Sequence, residues 1–391
     1  MRHYRNYINK ATLQRSCSFG LRFVIVLFAN KLLGEKDGNK YALFGYYLIS
    51  INQLSGFGLP YFYIKSIKSG NTSLQEYFSN VFLVNIGSAV TITLIASWFL
   101  RLESLDILVL TMYVASEYLC LEIQRVAQVT DLDKGISFFP LVKNTIILCC
   151  LLIYYIMGEE KLIVLSVFPV LIGHVVGTMV AVLTVFRQEL RCGFRFNKKL
   201  LAPSVFLNSF WYYISTAINS SLFTIDKKIV EINLQSADFY QYNIYYSFLS
   251  SFCGFLESVL LVKGYSAIYD NKIRFSFKIA TVALIGAALV SILIQFILGG
   301  ILKFAIQFSV ANSLAGAGFI FLFIFNYFEG VSVYSSCSAS EYSIVSLFLV
   351  LIYVLTAVLF TLWICEGAFW LTSLPISISL VYFFRRMRRL I

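Results

Sequence analysis

Two arginines lie at helical spacing inside the first apolar segment of the chain. Arg15 and Arg22 are seven residues apart, which places them about 20° from alignment on one helical face. A guanidinium binds phosphate or carboxylate oxygens through paired hydrogen bonds. A cation near the centre of a membrane span costs about 2.5–3.5 kcal/mol on insertion scales, so Arg22 predicts a binding role. Lys31 lies about 180° around the helix near its end, where its ammonium can reach the lipid headgroups.

A second polar stripe lies in the segment that begins near residue 203. Its members, which fall within about 40° of one another on a helix, are Asn208, Ser215, Asn219 and Asp226. Lys227 and Lys228 follow at the predicted outer end. Such a stripe lines water or another protein surface rather than lipid. The alternative is a contact between helices through Asn and Ser.

Several other ionisable residues lie within apolar segments, namely Glu117, Lys143, His174, Glu257 and Glu329. Glu117 and Glu257 either neutralise Arg22 and Lys143 inside the bundle or offer an acid to a coupling proton. His174 is either a packed polar residue or a proton carrier. We therefore treat the three acids and His174 as candidates for ion coupling.

The composition indicates a membrane protein whose apolar segments must position these residues. Of 391 residues, 59% are hydrophobic and 13% are charged, whereas soluble domains average about 45–50% and about 25%. We predict an all-α fold of about twelve transmembrane helices. The predicted spans are 16–34, 41–65, 78–100, 105–128, 137–157, 162–186, 203–226, 240–262, 277–298, 314–337, 343–365 and 367–384.

The distribution of positive charge predicts the orientation. Most of the 31 Lys and Arg residues fall on one side when both termini are placed in the cytoplasm, as the positive-inside rule requires. The net charge of +11 then reflects topology and contact with anionic lipid. Because the basic residues are scattered over short loops, a nucleic-acid partner is not expected.

The sequence motifs do not indicate an enzyme. The chain has no Gly-rich phosphate loop, and the Asp-Leu-Asp run at 131–133 is best explained as a solvated loop. With two histidines and unclustered cysteines, no metal site is expected. We expect no cofactor and no catalytic residue.

An internal similarity predicts two related halves. The stretch 46–66 resembles 245–265: Tyr46 and Tyr47 correspond to Tyr245 and Tyr246, and the Gly-Phe pair at 56–57 corresponds to 254–255. Six spans per half keep both halves in the same orientation, as in transporters built from parallel repeats. We predict six-helix bundles over 1–190 and 200–391, which form one transport unit around a central cavity.

The motifs resemble those of one transporter family. The stretch 31–66 combines a Leu-Gly pair after the first span, Gly38 and Tyr41, and the run Gly-Phe-Gly-Leu-Pro. The stretch 225–246 combines an Asp-Lys pair with an aromatic-rich helix start. In this order they resemble Wzx-type O-antigen flippases, in the polysaccharide-exporter branch of the multidrug/oligosaccharidyl-lipid/polysaccharide (MOP) superfamily.

The resemblance implies a substrate and a location. The substrate would be an undecaprenyl-diphosphate-linked oligosaccharide repeat unit of lipopolysaccharide O-antigen. It would cross from the cytoplasmic to the periplasmic leaflet of the bacterial inner membrane. Cavity cations would meet the diphosphate or acidic sugars. An O-antigen polymerase and a chain-length regulator are implied partners.

Two alternatives remain open at this stage. A multidrug or cation antiporter of the same superfamily would have an acidic cavity, whereas basic residues are prominent here. An O-antigen polymerase would have a large outer loop, and the polar breaks here are short. The first span also has one well-buried Arg where related flippases have more, so Lys143, Lys227 and Lys228 are further candidates for the cavity charge.

Overall fold

The protein is all-helical in the part of the chain that its computed structural model describes. That part comprises residues 2–55, 86–99, 104–129, 138–157, 168–185, 203–256, 274–301, 309–336, 339–363 and 367–390, with a few single positions. The α-helices are α1 (Arg2–Ser55), α2 (Ile86–Phe99), α3 (Ser104–Val129), α4 (Phe139–Met157), α5 (Phe168–Val185), α6 (Pro203–Asn233), α7 (Ser236–Leu256), α8 (Phe277–Gln295), α9 (Val310–Ser336), α10 (Ala339–Trp363) and α11 (Ser373–Leu390). A π-helix, Phe296–Ile301, follows α8, and a 3₁₀-helix, Gly367–Thr372, precedes α11. The predicted all-α fold class is confirmed.

Helix α1 consists of two segments that meet at Gly34. Its φ of 66° and ψ of −168° lie in a region that is essentially restricted to glycine. With the two segments of α1 counted separately, the described chain has twelve α-helical segments in addition to the π-helix and the 3₁₀-helix. Residues 35–40, which separate the first two predicted spans, are also helical, so α1 is interrupted at Gly34 and not by a polar loop.

Helix α6 also extends further than the apolar pattern predicts. The predicted span ends at Asp226, but the helix continues to Asn233. The pair Asp226 and Lys227 therefore lies about two turns before the helix end and is buried rather than terminal. The helix thus continues past the predicted end of the span, and the placement of these residues at the outer side of the membrane stays a prediction.

The chain divides into two compact units, Met1–Ser220 and Ser221–Ile391. The predicted division between 190 and 200 falls outside the described residues and stays a prediction. In the first unit, α1 packs against α2, α3 and α4, while α5 packs against α3 and α4. Its hydrophobic core includes Ala29, Leu110, Tyr118 and Ile147, which are almost completely buried.

In the second unit, α7 is largely buried. Ten of its side chains are buried, among them Tyr242, Tyr245 and Leu249. It packs against α8, α9 and the 3₁₀-helix, and α11 packs against α9 and α10. The burial of α7 on several faces explains why its apolar and aromatic residues lack a single amphipathic stripe.

The outer surfaces of the helices are apolar, as expected for a protein in lipid. On α8 and α10, large side chains such as Val282, Leu289, Ile344 and Leu362 are more than half exposed. By length and hydropathy, five described stretches can each cross a membrane: Ser16–Glu35, Phe139–Ile156, Phe277–Gly300, Val310–Val333 and Ser343–Leu362. Exposed apolar surfaces of this extent would aggregate in water, so lipid is the solvent that fits them.

Two glycines let α5 approach α4 closely. Gly173 and Gly177 are four residues apart, the small-residue spacing that allows close helix contact in membranes. A Cβ added at Gly177 would lie 2.9 Å from the Lys143 carbonyl oxygen and 3.3 Å from Ile147. This contact fixes the distance between the backbones that carry Lys143 and His174.

We expect Gly177→Ala to lower the free energy of unfolding by about 1–3 kcal/mol, because the new methyl group forces the α4 and α5 backbones apart. Unfolding of the purified protein in detergent would measure the change. Gly286→Ala on α8 is the matched control, since a Cβ there meets nothing within 4 Å. The control should be unchanged or stabilised by up to about 1 kcal/mol. Equal stabilities for the two variants would contradict the proposed close contact.

Candidate functional site

Arg22 lies on the inward face of α1, yet its side chain is exposed. The face within about 60° of Arg22 contains the buried residues Ser18, Ile25, Ala29 and Leu33. The opposite face contains the exposed residues Leu13, Cys17, Gly20, Val24 and Lys31. The face of α1 that carries Arg22 therefore packs against the protein, while the Arg22 side chain itself is exposed.

The guanidinium of Arg22 forms no ion pair with a described residue. It does interact electrostatically with Tyr41 of α1, Tyr113 of α3 and His174 of α5. Such a cation, accessible and without a carboxylate partner in the described chain, is available to an external anion.

A buried ionic cluster lies beside Arg22. Lys143 Nζ of α4 contacts Glu117 Oε1 of α3, and His174 Nδ1 is 2.9 Å from the same oxygen. Lys143 Nζ is also 3.5 Å from Cys120 Sγ. Glu117 thus neutralises Lys143.

His174 connects this cluster to α1. Its Nε2 is 3.3 Å from the Tyr41 hydroxyl, and the Tyr113 ring packs against the imidazole edge-to-face with centroids 5.0 Å apart. Glu117, His174 and Tyr41 therefore form a hydrogen-bonded chain across three helices. The chain ends at Tyr41, within the field of Arg22.

A separate hydrogen bond fixes α1 against α4 near the cluster. The Asn144 amide donates to the Ser18 carbonyl oxygen at 2.9 Å and contacts its hydroxyl at 3.0 Å. Ser18 and Arg22 are one turn apart on α1, and Asn144 adjoins Lys143 in sequence. This link holds Arg22 and the cluster in a fixed register.

The second unit contains another buried ion pair. Asp226 Oδ2 is 3.0 Å from Lys227 Nζ, and the side chains are 1% and 3% exposed. Asp226 Oδ1 accepts hydrogen bonds from Ser373 at 2.6 Å and from Tyr353 at 3.1 Å. The carboxylate therefore ties α6 to α10 and α11.

Aromatic side chains enclose the ammonium of Lys227. It donates to the Tyr242 hydroxyl at 2.5 Å and lies 3.9 Å from the centroid of the Tyr246 ring. Phe223 lies further away at 5.5 Å. The cation–π contacts and the carboxylate together satisfy this charge without an external ligand.

A neutral polar network connects α7, α8 and α9 within the same unit. The Tyr245 hydroxyl donates to the Asn312 carbonyl oxygen at 2.9 Å and contacts Ser291 at 2.9 Å. Gln295 donates to Ser313 at 3.0 Å. These bonds satisfy polar groups in an apolar surrounding and stabilise the contact between helices.

The remaining predicted residues are dispersed. Ser215 is buried, and its hydroxyl donates to the Trp211 carbonyl oxygen at 3.0 Å. Asn219 has a buried Oδ1 without a partner in the described chain. Glu329 is partly buried on α9. The exposed Lys228 pairs with Glu231 at 2.6 Å. Arg15 and Asn208 lie in helices whose side chains there are not described, and Glu257 lies outside the described residues.

Sequence reasoning did not assign several residues that complete these clusters. Tyr242 and Tyr246 are spaced i, i+4 on α7, so their common face was a usable signal. Tyr353 and Ser373 are far from Asp226 in sequence, and no spacing connects them. The same holds for Tyr41 and His174, which are 133 residues apart.

Solved structures resemble this chain over nearly its whole length. The lipid II flippase MurJ, in an inward closed conformation, matches with a TM-score of 0.63 and 14% identity over 96% of this chain and 87% of that one. An outward-facing MATE multidrug-resistance transporter has a TM-score of 0.57 and 12% identity over 97% and 95%. A MOP-superfamily transporter from Pyrococcus furiosus has a TM-score of 0.55 and 14% identity over 97% and 96%.

No protein-family profile matches the sequence, and no curated protein matches it. At identities of 12–14%, the structural likeness shows the fold. The chain has the fold of MOP-superfamily transporters, and the neighbours named above are transporters and flippases rather than enzymes. Together with the apolar helices, this fold identifies a multi-pass membrane protein.

The adjacent lysines of α6 provide a direct test of the buried ion pair. We expect Lys227→Ala to lower the free energy of unfolding by about 3–5 kcal/mol, because Asp226 would remain buried without its cation. Lys228→Ala removes an exposed pair and should cost about 0.2–1 kcal/mol. Thermal and denaturant unfolding in detergent would compare the two. If both variants show the same small decrease in the free energy of unfolding, the Asp226–Lys227 pair is not the stabilising contact described above.

Proposed function

We propose that this protein is a flippase for undecaprenyl-diphosphate-linked oligosaccharides, and specifically for O-antigen repeat units. It moves them from the cytoplasmic to the periplasmic leaflet of the bacterial inner membrane by alternating access coupled to an ion. The observation that carries the proposal is Arg22, an exposed guanidinium on the protein-facing side of a membrane helix.

The energetics of Arg22 favour an anionic substrate. A cation at this depth is costly, and no described carboxylate pairs with it. A diphosphate supplies the missing negative charge through bidentate hydrogen bonds. In a low dielectric such a contact is stronger than in water. A bound diphosphate would therefore offset the free-energy cost of placing Arg22 in the membrane.

The other cations have different surroundings. Glu117 neutralises Lys143, and Asp226 neutralises Lys227. We propose that Lys143 shapes the electrostatic surroundings of the site, while Arg22 contacts the diphosphate directly. In the second unit, we propose that Lys227 stabilises the fold, because Asp226 and the aromatic rings already satisfy its charge. Arg15, with the polar groups of Asn208, Ser215 and Asn219, would extend the binding surface toward the sugars. Lys228 is exposed, and we retain it as a contact for acidic sugars.

The structural neighbours support a lipid-linked substrate and define the main rival. One neighbour is a lipid II flippase and another is a multidrug-resistance transporter. For the Pyrococcus furiosus protein, a reversed polarity of the binding pocket suggests a different function. Within this fold, the charge of the site is therefore a useful criterion. An accessible arginine favours an anion over a cationic drug.

The ion-coupling groups remain proposals as well. Glu117 and His174 lie in the cluster beside Arg22, whereas Glu329 lies in the other unit and Glu257 outside the described chain. We favour the cluster because its charge responds directly to an anion at Arg22. The orientation with both termini in the cytoplasm, and contacts with a polymerase and a chain-length regulator, complete the proposal.

We expect Arg22→Ala to reduce flipping at least about tenfold, since a hydrogen bond to a charged group contributes about 1.5–3 kcal/mol. Arg22→Lys should retain part of the activity, because a lysine keeps the charge but loses the bidentate geometry. The measurement is the leaflet distribution of lipid-linked repeat units in a deletion strain that carries each variant. Repeat units should accumulate in the cytoplasmic leaflet.

Lys31→Ala is the matched control, because Lys31 is a cation on the opposite face of the same helix. It should restore normal export at wild-type protein levels. Full activity of Arg22→Ala would exclude the assigned role. Accumulation in the periplasmic leaflet would indicate a polymerase, and drug efflux without any accumulation would indicate an antiporter.

A further inference from the structure

The hydrogen-bond partners of His174 determine where its proton lies. Glu117 is held by Lys143 as a carboxylate, and a carboxylate only accepts hydrogen bonds. The imidazole Nδ1, 2.9 Å from Glu117 Oε1, must therefore carry a hydrogen. In the neutral ring, Nε2 then has no hydrogen, and it accepts the hydroxyl hydrogen of Tyr41 across 3.3 Å.

We propose that Tyr41 is a second contact for the anion and that His174 determines whether Tyr41 can donate to it. When His174 is neutral, the Tyr41 hydroxyl hydrogen is directed toward Nε2. When His174 takes up a proton, both ring nitrogens become donors, and Tyr41 must accept from Nε2. Its hydroxyl hydrogen then turns toward the space near Arg22. The inference rests on the proposed function, because Arg22 is taken as the diphosphate contact.

The electrostatic interaction between the anion and His174 also links anion binding to protonation of His174. An anion at Arg22 adds negative charge near His174 and so favours the imidazolium. The titratable and charged groups that interact with His174 are Tyr41 and Arg22 from α1, Glu117 and Tyr113 from α3, and Lys143 from α4. Arg22 and Lys143 oppose protonation of His174, and an anion that neutralises Arg22 removes one of these two effects.

Proton binding and anion binding are therefore cooperative at this site. The coupling is reciprocal: if protonation of His174 increases the affinity for the anion by some factor, the bound anion increases the affinity of His174 for the proton by the same factor. Coupling factors between linked sites are typically about 5–150-fold. Because two effects of the same sign combine here, we expect about tenfold tighter anion binding with His174 protonated.

Binding of farnesyl diphosphate to the purified full-length protein in nanodiscs tests the linkage. The dissociation constant would be measured at pH 8.0 and pH 5.0 for the wild type, His174→Gln, Tyr41→Phe and Arg22→Ala. Glutamine offers an N–H to Glu117 and an oxygen to Tyr41 but takes up no proton. Tyr41→Phe removes only the hydroxyl group, which makes it the milder change if His174→Gln does not fold.

Farnesyl diphosphate itself titrates between pH 5.0 and pH 8.0. The effect of this titration cancels when the ratio of the dissociation constants at the two pH values is compared between proteins. The ratio of dissociation constants should be about tenfold larger for the wild type than for His174→Gln, with an intermediate ratio for Tyr41→Phe. Tyr155→Phe on α4 is the matched control, because this tyrosine is 61% exposed and lies outside the cluster. Its ratio should equal that of the wild type.

Equal pH ratios in the wild type, His174→Gln and Tyr41→Phe, with binding lost in Arg22→Ala, would overturn the linkage and leave the proposed diphosphate site intact. An absence of binding to the wild type, or equal binding to Arg22→Ala, would instead contradict the proposed function itself. A proton uptake measured by calorimetry in two buffers, present in the wild type and absent in His174→Gln, would support the linkage independently.

Discussion

A charge inside a bilayer is stabilised by a partner, and the cations described here differ in whether the described part of the protein supplies one. Lys143 and Lys227 each contact a carboxylate within the protein, and further side chains complete both pairs. Arg22 has no carboxylate partner in the described chain and is exposed on the inward face of α1. The first two cations are therefore neutralised within the protein. Under the proposed function, an external anion would neutralise the third.

The contacts between helices place the neutralised Glu117–Lys143 pair near Arg22, which has no carboxylate partner in the described chain. Gly177 lets α5 approach the Lys143 backbone, and Asn144 holds Ser18 of α1. Glu117 consequently meets Lys143 and His174 at one oxygen atom, and His174 reaches Tyr41. A hydrogen-bonded chain therefore runs from Tyr41 through His174 to the buried carboxylate of Glu117. Rigid packing around this route matters because a displacement of about 1 Å breaks a hydrogen bond.

The sequence predicts more of the fold than of the candidate site. Hydropathy identified the helices to within a few residues for α3 and α4, because both are apolar over a membrane thickness. It did not predict that residues 35–40 are helical. Beyond Asp226 the helix continues because local contacts satisfy its polar residues: Lys228 pairs with Glu231, and Asn233 donates to the Ile229 carbonyl oxygen. Within the site, helical periodicity placed Arg22 and Lys31 on opposite faces. It could not join Glu117, Lys143 and His174, which come from three helices.

The sequence by itself determined the solvent of this protein and the positions of its helices, because apolar length and charge asymmetry act locally along the chain. It also determined which residues carry charge inside the membrane. The tertiary structure alone decided which charges are neutralised, since pairing depends on distances between helices that no spacing in the sequence encodes. The exposure of Arg22, the enclosure of Lys227 and the hydrogen-bonded chain through His174 all follow from packing.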